Sequence, residues 1–137
     1  MLIDWSDKYS IAIPAIDEQH KFFFQAVHRL HKECAAEEGA DAVLETLVFL
    51  ENYAKRHFRD EEKLMRKFDY PKVEQHSRLH AEFLREYSTL ADEFDELGPS
   101  QYLAERMGEL VQEWLIEHIA TADMGYARHI LGDGETR

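Results

Sequence analysis

Apolar residues recur at alternating intervals of three and four residues in four segments of this chain, and this period constrains the fold more than any other feature. Turn-forming residues separate the segments at 38–41, 68–71 and 98–100. A single apolar line with this spacing indicates a helix that packs one face against a core. The chain is therefore expected to be all-α.

Short connections make consecutive helices antiparallel neighbours, which predicts an up-down-up-down four-helix bundle. Residues before the first helix show little helical period and are expected to form an N-terminal arm along the bundle. Asp17 is expected to cap the first helix, and a role in orienting the His20 imidazole is the alternative. We expect one domain over residues 1–137, with an arm at 1–16, helices at about 17–37, 41–66, 72–97 and 101–130, and a short C-terminal tail.

The charge balance limits the possible partners. The 137 residues include 28 Asp and Glu but 16 Lys and Arg, giving a formal net charge of −12. Nucleic acid and anionic membrane surfaces are bound through basic patches, so neither is expected as a partner. The sequence has no apolar run long enough to predict a membrane span. The one cysteine, Cys34, cannot form an internal disulfide, and the first residues do not resemble a signal peptide, which predicts a cytoplasmic protein.

Seven ionisable residues interrupt the apolar lines, where a bundle core is expected. A buried carboxylate costs free energy unless it is paired or bound to metal. A single core histidine is usually a hydrogen-bonded structural residue, but the predicted topology brings all seven to the same end of the bundle. This convergence favours a metal site. The seven are His20, His57, Glu61, His76, His80, His118 and Asp123.

The spacing of these residues also suits metal binding. Four of them form two pairs separated by four positions, which are His57 with Glu61 and His76 with His80. Each pair projects from one helix face, with its members about 6 Å apart. His118 and Asp123 are five positions apart, so either a side chain reaching sideways or a local distortion of the helix must bring them together.

Five imidazoles and two carboxylates exceed the four ligands of a structural zinc site. Two metal ions bridged by the carboxylates would use all seven residues. Imidazole nitrogen together with carboxylate oxygen suits iron, manganese, zinc and copper, so the ligand types alone do not select the metal.

The ordered motifs around these residues resemble the hemerythrin family, in particular its short, single-domain bacterial members. The resemblance covers about residues 3–130. Its motifs are Ile16-Asp17-Glu18-Gln19-His20, His57-Phe58-Arg59-Asp60-Glu61-Glu62, His76 with His80 and Phe83, and Trp114-Leu115-Ile116-Glu117-His118-Ile119 followed by Asp123 and Tyr126.

The resemblance implies a non-haem di-iron centre that binds dioxygen reversibly, for oxygen storage, delivery or sensing. It also implies that both carboxylates bridge the two iron ions beside an oxo or hydroxo group, and that dioxygen binds at the iron with fewer histidines. By position, one iron belongs to His76, His80 and His118, the other belongs to His20 and His57, and the bridges are Glu61 and Asp123.

The resemblance also implies an apolar pocket for dioxygen, whose wall residues are assigned only by their positions relative to the expected ligands. Its expected wall residues are Phe23, Phe58, Trp114, Leu115 and Ile119. The family commonly has leucine three residues after its first-helix ligand, where this chain has Phe23. The larger ring either narrows access to the pocket or fills the same volume of core.

Two other functions stay open at this point. A di-iron centre would also suit a redox enzyme acting on peroxide, nitric oxide or ferrous iron, and a zinc-filled bundle would have a structural role. No histidine here follows a glutamate by three positions, as the histidines of ferritin-type bundles do. Imidazole ligands leave less negative charge on the metals than carboxylates would, so an oxygen-binding protein is expected rather than an enzyme. No protein partner is indicated.

Overall fold

This computed structural model describes residues 2–36 and 40–132. The described residues form a four-helix bundle, in which the last long helix consists of two α-helices joined by a π turn. The π turn Ile119–Asp123 continues the fourth helix into the fifth, so these elements together make the last long helix. The expected end of the first helix at residue 37 and the C-terminal tail after residue 132 lie outside the described residues. The helices are α1 (Pro14–Ala35), α2 (Ala40–Lys67), α3 (Val73–Leu97), α4 (Gln101–His118) and α5 (Met124–Leu131).

Each long helix packs against two neighbours. α1 and α3 both lie between α2 and α4, which confirms the all-α, up-down-up-down bundle. One half of the bundle has a buried apolar core, which we call the apolar half. It is formed by late residues of α1 and α3 and by early residues of α2 and α4, and it includes Leu30, Val43, Phe94 and Met107. None of the helices in the described part of the chain combines the length and apolar character needed to cross a membrane.

The turn between α3 and α4 follows the breaker residues of the sequence. Gly98 has a φ of 82°, a region of backbone conformation that favours glycine, and α3 ends immediately before it. The Ser100 side chain accepts a hydrogen bond from the backbone N–H of Leu103 and caps α4. These two residues reverse the chain within a short loop.

α1 begins at Pro14 rather than near residue 17, because proline has a backbone angle that suits the first helical position and no N–H to satisfy there. Asp17 therefore lies inside the first turn, and the predicted capping role is wrong. Its carboxylate accepts hydrogen bonds from the Ser10 hydroxyl and from the Ile11 N–H at 2.5 and 2.9 Å. Asp17 thus fastens the arm to α1.

The arm is held along the bundle by its backbone and its aromatic rings. The buried side-chain amide of Gln112, in α4, accepts from the Ile3 N–H at 3.2 Å and donates to the Ile3 carbonyl at 3.0 Å. The rings of Trp5 and Tyr9 pack on Phe24 with centroid distances of 6.0 and 5.5 Å. Together these contacts make the arm part of the folded unit.

Candidate metal centre

Seven buried side chains converge at the end of the bundle opposite the apolar half, and none of them exposes more than 4% of its surface. They are the seven residues that the sequence predicts. Their donor atoms form two compact groups that share one carboxylate. The larger group contains Glu61, His76, His80, His118 and Asp123, and the smaller contains His20, His57 and Glu61.

Helix geometry places the pairs that are four positions apart. His57 and Glu61 share the inner face of α2, and the Nε2 atom of His57 lies 3.4 Å from Oε1 of Glu61. Nε2 of His80, on α3, lies 3.2 Å from the same oxygen. The Glu61 carboxylate therefore stands between the histidines of two neighbouring helices.

A π turn brings His118 and Asp123 together. Within Ile119–Asp123 the backbone N–H of Met124 bonds to the Ile119 carbonyl, five positions earlier, so one turn holds an additional residue. Of the two alternatives given by the sequence, a side chain reaching sideways and a local distortion of the helix, the structure has the distortion. Oδ1 of Asp123 lies 3.0 Å from Nε2 of His118 and 3.0 Å from Nε2 of His76, while Oδ2 lies 3.2 Å from Nε2 of His20.

The spacing of the imidazole nitrogens fits a shared metal ion. Nε2 of His118 lies 2.9 Å from Nε2 of His76 and 3.3 Å from Nε2 of His80. Two nitrogen ligands about 2.1 Å from one ion, at a right angle to each other, are about 3 Å apart. The three imidazoles can therefore bind one ion without large movements.

Several buried polar atoms of the site have no hydrogen-bond partner among the described residues. They are both ring nitrogens of His20, Oε1 of Glu61 and both carboxylate oxygens of Asp123. Buried polar atoms without partners cost free energy, and a cation bound to Nε2 of His20 and to the carboxylates would supply partners for most of them. The donor set therefore fits a metal centre.

Electrostatics hold three residues of the site in the protonation state that metals require. Burial by itself would raise the pKa of Asp123, but His118 and the other imidazoles outweigh burial and hold this pKa well below its usual range. The pKa of Glu61 is lowered in the same way, against burial and the charge of Asp123. Burial lowers the pKa of His57 to about 4, so its imidazole is neutral at neutral pH. Ionised carboxylates and neutral imidazoles are the metal-binding forms.

His20 and His80 differ from His57 in their electrostatic surroundings. Burial alone would lower the pKa of His20, but the close approach and charge of Asp123, with the charge of Glu61, raise it. His80 has a raised pKa against burial because it faces Glu61 and Glu62. The two buried carboxylates therefore attract positive charge, which protons on these imidazoles or a metal ion can provide.

Two residues outside the predicted set bind the outer nitrogens of the imidazoles. Nδ1 of His57 donates to Oε1 of Gln19 at 2.6 Å, and Nδ1 of His80 donates to Oε2 of Glu62 at 2.8 Å. Both partners belong to the motifs around the predicted ligands, immediately before His20 and after Glu61, but the sequence predicted no role for them. Which imidazole each one meets depends on how the helices are rotated against each other.

Tyr126 is a third residue that the sequence motifs contain without a predicted role. Its hydroxyl donates to Oε2 of Glu61 at 2.6 Å, and its side chain is fully buried. Burial and the charges of Glu61 and Asp123 raise the pKa of Tyr126 far above its ordinary value, so the hydroxyl keeps its proton. Tyr126 therefore fixes the orientation of the shared carboxylate.

A small apolar cavity lies against the donor set. Its volume is about 10 Å³, which is room for about one molecule the size of water. The Phe58 ring stacks on His80 with a centroid distance of 3.9 Å, and Trp114 stacks on His118 at 4.2 Å. The cavity is lined by Phe23, Phe58, Phe83, Val111, Trp114 and Leu115.

Four of the five residues predicted for the pocket line this cavity, namely Phe23, Phe58, Trp114 and Leu115. Ile119 is buried but does not line it, because Ile119 lies beyond His118, where α4 passes into the π turn. Phe83 and Val111 were not predicted. Each lies one helical turn from a predicted residue, since Phe83 follows His80 by three positions and Val111 precedes Leu115 by four.

Phe23 acts as both core and cavity wall. Its ring meets His57 edge to face, with centroids 5.3 Å apart, and lies nearly parallel to Tyr53 at 5.3 Å. Only 3% of its surface is exposed. The ring therefore contacts both half-buried Tyr53 and the imidazole of His57.

Comparison with known proteins gives the same assignment as the geometry. A sequence model described as the hemerythrin HHE cation binding domain matches residues 11–130, a span that includes all seven residues of the site. The chain belongs to the hemerythrin family. Cation binding, which the description of this family states, agrees with the buried donor set of the bundle.

Individual members of the hemerythrin family match nearly the whole chain. Bacteriohemerythrin from Pseudomonas aeruginosa PAO1 is 30% identical over 132 residues, which cover 94% of this chain and 84% of that protein. Myohemerythrin from Sipunculus nudus is 28% identical over 122 residues, covering 89% and 88%. A crystal structure of wild-type hemerythrin superposes with a TM-score of 0.81 at 25% identity and covers 95% of this chain and 98% of its own.

Proposed function

We propose that this chain, as a single hemerythrin-like domain, binds dioxygen reversibly at a di-iron centre, for oxygen storage, delivery or sensing. The observation that carries the proposal is the division of the buried donors into three histidines on one side and two on the other, with the Glu61 carboxylate in both groups and an apolar cavity beside them. Membership of the hemerythrin family supports iron as the metal.

The proposed ligands follow this division. The two oxygens of Asp123 face different histidines, His118 and His76 on one side and His20 on the other, which supports a bridging role. His20 and His57 provide fewer protein ligands, so their side is the one proposed to stay open to a small molecule. The proposed set is His76, His80 and His118 for one iron, His20 and His57 for the other, and Glu61 and Asp123 as bridges.

Iron, when bound, would supply the reversible electron transfer that dioxygen binding requires. The chain itself would keep this chemistry reversible by excluding water and protons. The rings of Phe58 and Trp114 cover the imidazoles of His80 and His118, and none of the described residues that line the cavity is ionisable. The Tyr126 hydroxyl stays protonated and donates a hydrogen bond to the Glu61 carboxylate, so it does not release its proton into the site.

Optical spectroscopy of the reduced, anaerobic, iron-loaded protein tests this function. Metal analysis should find two iron ions per chain. A charge-transfer band should appear when dioxygen is admitted, disappear when dioxygen is removed, and return over repeated cycles. A spectrum that stays oxidised after the first exposure would contradict reversible binding, and many turnovers of peroxide or nitric oxide per site would indicate an enzyme instead.

A further inference from the structure

Two of the metal-facing imidazoles donate their outer N–H groups to acceptors of different charge. His57 donates to the neutral amide oxygen of Gln19 at 2.6 Å, whereas His80 donates to the Glu62 carboxylate at 2.8 Å. His57 belongs to the smaller donor group and His80 to the larger one. The difference in charge therefore separates the two proposed metal positions.

The neighbours of Gln19 determine which way its amide points. Its Nε2 donates to Oδ2 of Asp60 at 3.0 Å, and an ionised carboxylate can only accept hydrogen bonds. The amide nitrogen must therefore face Asp60, and the amide oxygen must face His57. Because that oxygen only accepts, Nδ1 of His57 carries the proton and Nε2 keeps a free lone pair towards the site.

The Glu62 carboxylate affects His80 more strongly than the neutral Gln19 amide affects His57. A hydrogen bond from an imidazole to a carboxylate is charge-assisted, and it makes the other ring nitrogen a better electron donor to a metal. The side chain of Glu62 is only 20% exposed, and its other oxygen lies 4.0 Å from the exposed Arg66 guanidinium. The negative charge of Glu62 therefore acts mainly on the imidazole.

We propose that Gln19 and Glu62 are positioning residues that fix the Nδ1–H tautomers of His57 and His80, and that the neutral acceptor makes the His57 metal position the weaker of the two. This inference rests on the proposed metal centre for its second part. Its first part concerns the metal-free chain alone, so the two parts can fail separately.

Nitrogen NMR of the metal-free, 15N-labelled protein tests the tautomers at an alkaline pH, where the imidazoles are neutral. His57 and His80 should both show the Nδ1–H form. Gln19→Leu should remove this preference at His57 and leave His80 unchanged. An Nε2–H form of His57 in the unaltered protein would overturn the assignment whatever metal the chain binds.

Titration with cobalt(II), followed by its visible spectrum, tests the effect on affinity. The unaltered protein should bind two ions in two resolved steps. Gln19→Leu should weaken the weaker step by about 10–100-fold, because partners of metal-bound histidines contribute about this much. Glu62→Gln should weaken the stronger step and leave the weaker one unchanged.

A double variant isolates the charge. Gln19→Glu with Asp60→Asn moves one negative charge from residue 60 to residue 19, keeps a hydrogen bond between them and leaves the net charge at −12. It should strengthen the weaker step, by about tenfold. Glu18→Gln, which removes a charge from a side chain that is 71% exposed, is the control and should change neither step.

The outcomes separate the two proposals. If Glu62→Gln and the double variant bind cobalt(II) like the unaltered protein, the tuning by charge is overturned. If neither the unaltered protein nor any variant binds metal although both tautomers are found, the proposed metal centre fails and the tautomer assignment stands.

Discussion

Nε2 of His118 lies 3.0 Å from Oδ1 of Asp123, although the two residues are five positions apart. In a regular α-helix, a shift of five positions turns a side chain by about 140° from its starting direction. The π turn Ile119–Asp123 takes five residues to complete about the arc that four residues complete in an α-helix. The last helix therefore presents a chelating pair equivalent to the pairs on α2 and α3.

Deletion of one residue from this turn should preserve the site. Without Ala120, which is exposed, the turn should become regular α-helix, and His118 and Asp123 would then be separated by four positions on the same face. Metal analysis of the deletion variant should find the same metal content as in the unaltered protein.

Insertion of an alanine after Ala120 provides the matched control for this deletion. The added residue should rotate α5 by about 100° and carry the Tyr126 hydroxyl away from Glu61. Its metal content should fall. Metal loss on deletion together with metal retention on insertion would contradict the account of the π turn.

The metal-free protein should be most stable near pH 6 to 7. Burial lowers the pKa of His57 to about 4, so the folded state loses stability as the pH falls from about 6.5, where an unfolded histidine titrates, towards that value. His20 and His80 have raised pKa values despite burial, because Asp123 and Glu61 face them. Their contribution is complete below about pH 6.5 and is lost as the pH rises through their folded pKa values.

Thermal unfolding in the presence of a chelator, over about pH 5 to 9, measures this dependence. The midpoint temperature should pass through a maximum. His57→Gln, which cannot titrate, should reduce the loss of stability on the acid side, where His57 contributes up to about 3 kcal/mol. A midpoint that rises steadily towards low pH would contradict the prediction.

Periodicity and spacing predict much of this fold and site. Apolar lines set the number of helices and their inward faces, and the four-position spacing of His57 with Glu61 places both at the site. The partners of Gln19 and Glu62 cannot be predicted in this way, because they depend on the rotation of one helix against its neighbour. Asp17 was assigned wrongly because Pro14 starts the helix earlier.

Phe23 should control access to the site. Phe23→Leu should open space beside His57 and increase the rate at which the iron-loaded, oxygen-bound protein oxidises, as measured by absorbance over time. The smaller side chain should also lower the free energy of unfolding, by about 1–2 kcal/mol.

Phe24→Leu is the matched control for Phe23→Leu. Phe24 is equally buried on α1, but it packs on Trp5 and Tyr9 of the arm rather than on His57. It should lose similar stability without the faster oxidation. Equal oxidation rates in the two variants would show that Phe23 only fills core volume.

Gln112 should fasten the arm. Gln112→Ala removes both hydrogen bonds to the Ile3 backbone and should lower the free energy of unfolding, by about 1–2 kcal/mol. Amide hydrogen exchange at Ile3 should become faster. Gln101→Ala, at an exposed position of the same helix, is the control and should change neither measurement. Unchanged exchange at Ile3 in Gln112→Ala would mean that the aromatic contacts alone hold the arm.

The contact between Ile3 and Gln112 joins residues 109 positions apart. The arm leaves the ribosome before α4, so the Ile3 backbone has no Gln112 partner until α4 has been synthesised and has left the exit tunnel. His118 ends α4 and Asp123 follows it, so metal cannot be fully enclosed in a nascent chain that lacks its last helix. The arm contact and the metal centre therefore depend on the same last helix, and neither can be completed before that helix is in place.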